Sequence, residues 1–328
     1  MKTRRLGNEG PEVSAIGLGC MPLTTPAYGP IDLEESLATV NSAIDSGMNF
    51  FDSAQHYGDG KNEELIAKAI KGRREKVVIA SKFGTIVHAD GHRSVTGRPE
   101  LIPDACEGSL KRLGTDYLDV YYLHRIDPDV PVEETVGGMA KLVEQGKVRF
   151  LGLCEAAPAT LERACKIHQI TVLQSEYSLW SRFAEDEMFD ACLNLGIGYV
   201  AYCPLGHGFL TAAVKSSDIL GEKDQRHSLP RFDGENLARN VALLGPLEDI
   251  ARAQNATPSQ IALGWILAQG DHLVPIPGTR RRTHLKENIE AADIALSKDE
   301  IDQLTQTFTP DAVAGERGPE SGMRRMNG

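Results

Sequence analysis

Eight short apolar runs rich in β-forming residues punctuate the chain: VSAIGLG (13–19), MNFFDS (48–53), KVVIASK (76–82), YLDVYYLH (117–124), VRFLGLC (148–154), TVLQSE (171–176), GYVAYCP (198–204) and LVPIPG (273–278). Most of the segments between them carry helical spacing. In LEESLATVNSAIDSG (33–47), Leu37, Val40, Ala43 and Ile44 share a face and Gly47 supplies the stop. In VEETVGGMAKLVEQG (132–146), Val136, Met139, Ala140 and Val143 do the same. Strands alternating with helices imply right-handed parallel βαβ units, with both faces of the sheet covered. Eight units predict a closed (β/α)8 barrel of the TIM type with long loops at its C-terminal face, a single domain over residues 1–328. An open doubly wound sheet would show G-x-G-x-x-G after its first strand, and GLGCMP lacks the third glycine.

Composition narrows the function classes. With 41% hydrophobic and 25% charged residues, a full core can form without disulfides. Lysine and arginine total 35 against 46 acidic residues, a net charge of −11 that repels a polyanion, so nucleic acid is not an expected partner. The six cysteines include no C-x-x-C pair, which signals neither a zinc site nor a disulfide framework. The N-terminal MKTRRLGNEGPEV has no apolar signal core, and no stretch approaches the roughly 18 apolar residues that span a bilayer. A cytoplasmic protein without membrane partners is the expectation. Oligomeric state is not legible.

Barrel chemistry belongs at the carboxyl ends of the strands. The second run ends at Asp52, the third at Lys82 and the fourth at His124, while Tyr57 follows five residues after Asp52 in HYGDG. Each residue alone has an ordinary explanation: a turn former, a solvated charge, a core histidine, a packed phenol. Together they match what carbonyl reduction by hydride requires. The carbonyl oxygen becomes an alkoxide and needs a proton, and a phenol of pKa about 10 is a reluctant donor at neutral pH. An ammonium about 4 Å away, at an effective dielectric near 20, favours the phenolate by roughly 4 kcal/mol, or as much as about three pKa units. Lys82 could tune Tyr57 in this way, Asp52 could supply the counter-charge, and His124 could orient the carbonyl. No metal is required.

The same residues fall in motifs that resemble the aldo-keto reductase superfamily, from about residue 3 to the C-terminus: GLGCM (17–21), NFFDSAQHYGDGKNEE (49–64), SKFG (81–84), DYLDVYYLHRIDP (116–128), VEQGKVRFLGLCE (143–155), QSEYSLWSR (174–182), AYCPLGHGFLT (201–211) and IPGTRRRTHLKENI (276–289). The loop style resembles the bacterial, plant and fungal type that includes pyridoxal and perakine reductases. The resemblance implies NADPH-dependent reduction of an aldehyde or ketone, with Tyr57 as acid, Lys82 and Asp52 as its tuning pair and His124 orienting the substrate. It further implies that Cys154, Glu155 and Gln174 meet the nicotinamide amide and that the ring stacks on Tyr202. Gly19, Cys20 and Met21 would also touch the cofactor. Pro204, Leu205, Gly206, His207, Gly208 and Leu210 would cover the pyrophosphate. Pro277, Gly278, Thr279 and Arg280, with His284, Glu287 and Asn288, would hold the adenosine end and its 2′-phosphate. Independently, Arg280, Arg281 and Arg282 form a basic run before a helix, where it opposes the helix dipole and suits a phosphate.

Two positions depart from the family pattern. Cys154 stands where serine is common, and a thiol is the weaker hydrogen-bonding group. His207 stands where lysine or arginine is frequent, and an imidazole loses its charge as pH rises through its pKa. The substrate walls are expected from residues 84–98, the 207–240 connection and the tail after Thr309, with Tyr28, Phe83, Arg125, Trp180, Phe209 and Phe232 as wall candidates. The rival expectation is a cofactor-binding, redox-sensing interaction subunit with little turnover.

Overall fold

Alternation along the strands decides which side chains enter the barrel. In a computed structural model, which describes residues 1–88, 90, 92–323 and 326, the chain opens with an antiparallel hairpin, β1 (Thr3–Arg5) and β2 (Glu12–Ser14). The parallel sheet begins with β3 (Leu18–Gly19), β4 (Phe50–Asp52) and β5 (Val78–Phe83). A second hairpin, β6 (Thr85–Val87) with β7 (Arg93–Val95), extends the loop beyond β5. The sheet continues through β8 (Leu118–Leu123), β9 (Val148–Cys154), β10 (Ile170–Glu176), β11 (Gly198–Tyr202) and β12 (Leu273–Pro275). A parallel bridge between Gly19 and Gly278, with the Gly17 amide donating to Pro275 O at 3.0 Å, closes the first strand onto the last.

The helices are α1 (Leu33–Asp45), α2 (Lys61–Ile70), α3 (Ile102–Leu113), α4 (Val132–Glu144), α5 (Pro158–Cys165), α6 (Met188–Leu195), α7 (Gly234–Val241), α8 (Leu244–Ala253), α9 (Pro258–Ala268), α10 (Arg282–Glu290), α11 (Lys298–Thr307) and α12 (Glu320–Met323). Their apolar faces pack with Phe51, Ile79, Tyr121, Leu151, Leu173 and Tyr199 in the outer core layer. The strand positions of opposite parity, Phe50, Ala80, Val120, Val172, Val200 and Val274, fill the barrel interior. Among the described residues no helix is long and apolar enough to cross a membrane.

The interior parity carries straight to the chemistry. Two residues beyond Phe50 is Asp52, two beyond Ala80 is Lys82, and Val120 leads through Tyr122 to His124. Asp52 pairs in register with Ala80, Lys82 with Tyr122, and Cys154 with Gln174. Tyr122 fits because its neighbour is Gly152: a Cβ there would come within 2.4 Å of the phenol ring. The lower end is plugged by the first hairpin, whose Leu6 and Val13 join the interior cluster. Arg4 fastens it by donating to Gly270 O (2.8 Å), Leu267 O (2.7 Å) and Leu273 O (2.5 Å).

The predicted strands are found, with one redistribution. Of the run 13–19 only Leu18–Gly19 enters the barrel, because the Ser14 hydroxyl donates to Ile16 O (2.8 Å) and its backbone amide to Asn49 Oδ1 (2.6 Å), turning the chain between hairpin and sheet. The polar connection after Tyr202 is a chain of short 3-10 turns followed by α7 and α8. Ala89 and Gly91 of the predicted 84–98 wall, and four residues of the tail, lie outside the described residues.

Candidate active site

A cleft of about 780 Å³ opens at the carboxyl ends of the strands, and Asp52, Tyr57, His124, Gln174 and Tyr202 line it. Lys82 lies directly behind, fully buried, with its ammonium donating to Asp52 Oδ1 and to Ser53 O (2.8 Å). Gln174 Nε2 donates to the other Asp52 oxygen at 2.7 Å. Burial works against the ammonium, but the neighbouring Asp52 carboxylate helps hold the Lys82 pKa above the ordinary lysine value. An ion pair this deep persists because each oxygen of the carboxylate is bonded.

Tyr57 owes its position to the glycine-rich turn that separates β4 from α2. The Gln55 amide donates to Lys82 O (3.1 Å), the Tyr57 amide to Ala54 O (3.0 Å), and the Asn62 amide to Tyr57 O (3.3 Å). Buried Asn62 ties this turn to its surroundings, accepting from the Ser53 hydroxyl (2.7 Å) and donating to Cys20 O (2.7 Å). The Lys82 nitrogen lies 5.2 Å from the Tyr57 ring centroid. Burial raises the Tyr57 pKa and Lys82 pulls it back only in part, so the net shift is upward, opposite to the tuning expected from an isolated cation. Beyond burial, the ammonium is hydrogen-bonded to a carboxylate, and Asp52 itself favours the neutral phenol.

His124 packs edge-on to Tyr57, with ring centroids 5.9 Å apart, and against His56 at 4.7 Å. Both Nδ1 atoms are buried without a hydrogen-bond partner among the described residues. Burial, then the surrounding cations, pushes the His56 pKa down to about 3 and that of His124 well below the usual histidine value.

The expected cofactor residues divide into two groups. Gly19, Cys20, Met21, Pro204, Leu205, His207, Gly208, Pro277, Gly278, Thr279, His284, Glu287 and Asn288 line the cleft. Cys154, Glu155, Gly206, Leu210 and Arg280 do not. Cys154 is fully buried at the end of β9, its thiol pKa pushed up to about 12 by burial. Glu155 is held by Arg317 through two hydrogen bonds, 3.1 and 2.6 Å. Arg280 reaches over the loop after β3, donating to Tyr28 O (3.0 Å) and Gly29 O (3.3 Å), and Arg282 pairs with Glu35 at 2.9 Å. His207 adopts φ +54°, shares a 2.9 Å hydrogen bond between its Nδ1 and the Tyr28 hydroxyl, and has its pKa lowered by burial. Of the six wall candidates Tyr28 and Arg125 line the cleft. Phe83, Trp180, Phe209 and Phe232 are core residues instead, Trp180 stacking on Phe209 at 3.9 Å.

Among the lining residues not named individually from the sequence are His56, Arg93, Arg226 and Arg317, the last three inside the expected wall segments. His56 lies inside the HYGDG motif, beside Tyr57, where adjacency was the available signal. Arg93 comes from the second hairpin, Arg226 from the long connection and Arg317 from the tail. Nothing in periodicity marks a single arginine in such segments. Arg226 is fixed by Asp224 (2.7 Å), and the Gln225 amide donates to Ala27 O (2.9 Å), so the connection bridges to the loop after β3 across the cleft. Among the described residues no group of three or more His, Cys, Asp or Glu could hold a metal ion.

Comparison with known proteins decides the family. Residues 15–308 match the Aldo/keto reductase family. The chain belongs to this family. A soybean (Glycine max) relative named probable aldo-keto reductase 1 is 42% identical over 314 residues, covering 95% of this chain and 90% of the relative. Among solved structures, an aldo/keto reductase from Klebsiella pneumoniae in complex with NADP and acetate is 30% identical, covers 94% of this chain and 96% of its own, and superposes with a TM-score of 0.72. A glycerol dehydrogenase from Gluconobacter oxydans, 24% identical with 94% and 96% coverage, shares the fold at a TM-score of 0.85. The resemblance read from the motifs and the predicted (β/α)8 architecture both stand.

Proposed function

We propose that this aldo/keto reductase is an NADPH-dependent carbonyl reductase that converts an aldehyde or ketone to its alcohol. The observation that carries the reading is the buried Lys82–Asp52 pair, braced by Gln174, directly behind Tyr57 and His124 at one cleft. The groove suits a dinucleotide in its chemistry. Tyr202 offers a ring face, Arg226 and His284 offer donors toward phosphate, and Glu287 and Asn288 offer polar groups at the far end. NADPH, when bound, would supply the hydride. Thr279 and the start of α10 add backbone donors of the kind that barrel phosphate sites use.

The chain's own residues then divide the work. Tyr57 hands its phenolic proton to the oxygen that gains charge. Lys82 steadies the phenolate left behind, and Asp52 keeps Lys82 charged and fixed. His124, neutral because burial depresses its pKa, orients the carbonyl by hydrogen bonding, not by donating a formal charge. Apolar burial behind the site keeps these groups from relaxing toward water.

A fluorescence titration with NADPH, followed by a panel of aldehydes and ketones with nicotinamide absorbance monitored, tests the reading. Binding with cofactor oxidation by a carbonyl is expected. Tight binding without turnover across the panel would instead favour the sensing subunit.

A further inference from the structure

Several cations line or back the cleft, and three of them are neutralised by carboxylates. Lys82 is paired with Asp52, Arg226 with Asp224, and Arg317 with Glu155. Arg93 stands on the cleft wall at the second hairpin. Arg125, which immediately follows His124, is not among the three. Among the described residues no carboxylate lies within ion-pair distance of it, and its hydrogen bond runs from Nη1 to the carbonyl of His124 at 2.6 Å. Its guanidinium lies 5.9 Å from the Tyr202 ring centroid and lines the same cleft as Tyr57.

A guanidinium carries five N–H donors, so one bond to a backbone carbonyl fixes its orientation and leaves most of its fork for something else. Burial works against the Arg125 cation, but Tyr202 and the more distant Glu155 hold its pKa above the ordinary value, so it stays charged and a ligand carboxylate could accept two parallel hydrogen bonds from the open fork. The field is felt by its neighbours. Arg125 and Arg93 both contribute to the depressed pKa values of His56 and His124, behind burial as the main cause. The net charge of −11 acts from a distance and is screened beyond about 8–10 Å, whereas this spot acts at contact.

We infer that the substrate is a carbonyl compound that also carries a carboxylate, and that Arg125 anchors the carboxylate while Tyr57 faces the carbonyl. This rests on the reductase reading above. Arg125 thereby becomes a specificity-determining contact.

The test compares 4-carboxybenzaldehyde with its methyl ester and with benzaldehyde, in a buffer free of carboxylate and phosphate. For the unaltered enzyme kcat/KM should favour the free acid by at least tenfold. Arg125→Gln should cost the acid at least tenfold more than the ester, and Arg125→Lys should restore part of the preference. Equal rates for acid and ester in the unaltered enzyme, or equal losses on both in Arg125→Gln, would overturn the inference while leaving the reductase reading intact. Should no carbonyl be reduced, the reductase reading fails first, and benzoate binding to the NADPH complex then decides the anchor by fluorescence. Binding to the unaltered protein at least tenfold tighter than to Arg125→Gln supports it, and equal binding removes it.

Discussion

Arg317 grips Glu155 with both arms of its guanidinium, at 2.6 and 3.1 Å, and both side chains are buried. The contact fastens the C-terminal tail to the turn after β9. A second carboxylate, Glu176, lies 3.6 Å from the same guanidinium, and the ring of Phe183 lies 4.1 Å from its carbon.

Removing one partner of so buried a pair leaves an uncompensated charge. Arg317→Ala should destabilise the protein by about 3–5 kcal/mol at neutral pH, read by chemical denaturation. The bond to Arg317 helps keep the Glu155 pKa below its ordinary value despite opposing burial, so the pair's contribution is full above that value and is lost as pH falls through the lowered one. The stability gap between the two proteins should therefore narrow in acid. A gap that widened as pH fell would contradict this sign.

Tyr57→Phe deletes the proposed acid and little else. We expect kcat to fall by about a hundredfold or more, with NADPH affinity retained. Near-normal turnover would remove Tyr57 from the reaction.

Lys82→Met should be more damaging to stability than Lys82→Met combined with Asp52→Asn, since the single substitution strands a buried carboxylate whereas the double one does not. Thermal midpoints of the unaltered protein, Lys82→Met, Asp52→Asn and the double variant measure the coupling. Simple additivity would mean that the pair contributes nothing of its own.

With NADPH saturating, the pH profile of kcat should show no step from His56 or His124 between pH 6 and 8. Burial holds the His56 pKa down to about 3 and the His124 pKa well below the ordinary histidine value, and the proton-donating form of Tyr57 persists because burial raises its pKa. The rate should decline only as alkali ionises the phenol. A step near pH 6.5 that vanished in His124→Gln would show a charged imidazole at work instead.

Arg280→Ala should weaken NADPH more than NADH if the guanidinium leaves the Tyr28 and Gly29 carbonyls to meet the 2′-phosphate. Equal losses, measured by titration with each cofactor, would assign Arg280 to holding the loop after β3.

The barrel and the strand-end positions of Asp52, Lys82 and His124 were legible because they rest on period-two alternation: Phe50 and Asp52, or Ala80 and Lys82, share a face whatever surrounds them, whereas Tyr57 comes from the turn after β4. The resulting electrostatics were less so. Whether Lys82 lowers or fails to lower the Tyr57 pKa depends on how burial weighs against a cation already bonded to Asp52, and spacing does not encode that balance. Arg317, Arg226 and Arg93 were hidden for another reason. Each arrives from a segment without periodicity and acquires meaning only from partners such as Glu155 and Asp224, distant in sequence or held in a particular turn. Likewise, the aromatic character of Trp180 and Phe209 could not distinguish a pocket wall from mutual stacking.

The hairpin of β1 and β2 stoppers the barrel from below, its Leu6 and Val13 continuous with the apolar filling. The way to Tyr57 lies at the opposite end, through the cleft. If Tyr57 acts as proposed, the protons that replenish it, the carbonyl that arrives and the alcohol that departs share that upper mouth, so product would have to leave before the next carbonyl enters. Substitutions among the stopper residues should register in how long the vessel holds together, and those around the rim in how quickly it empties.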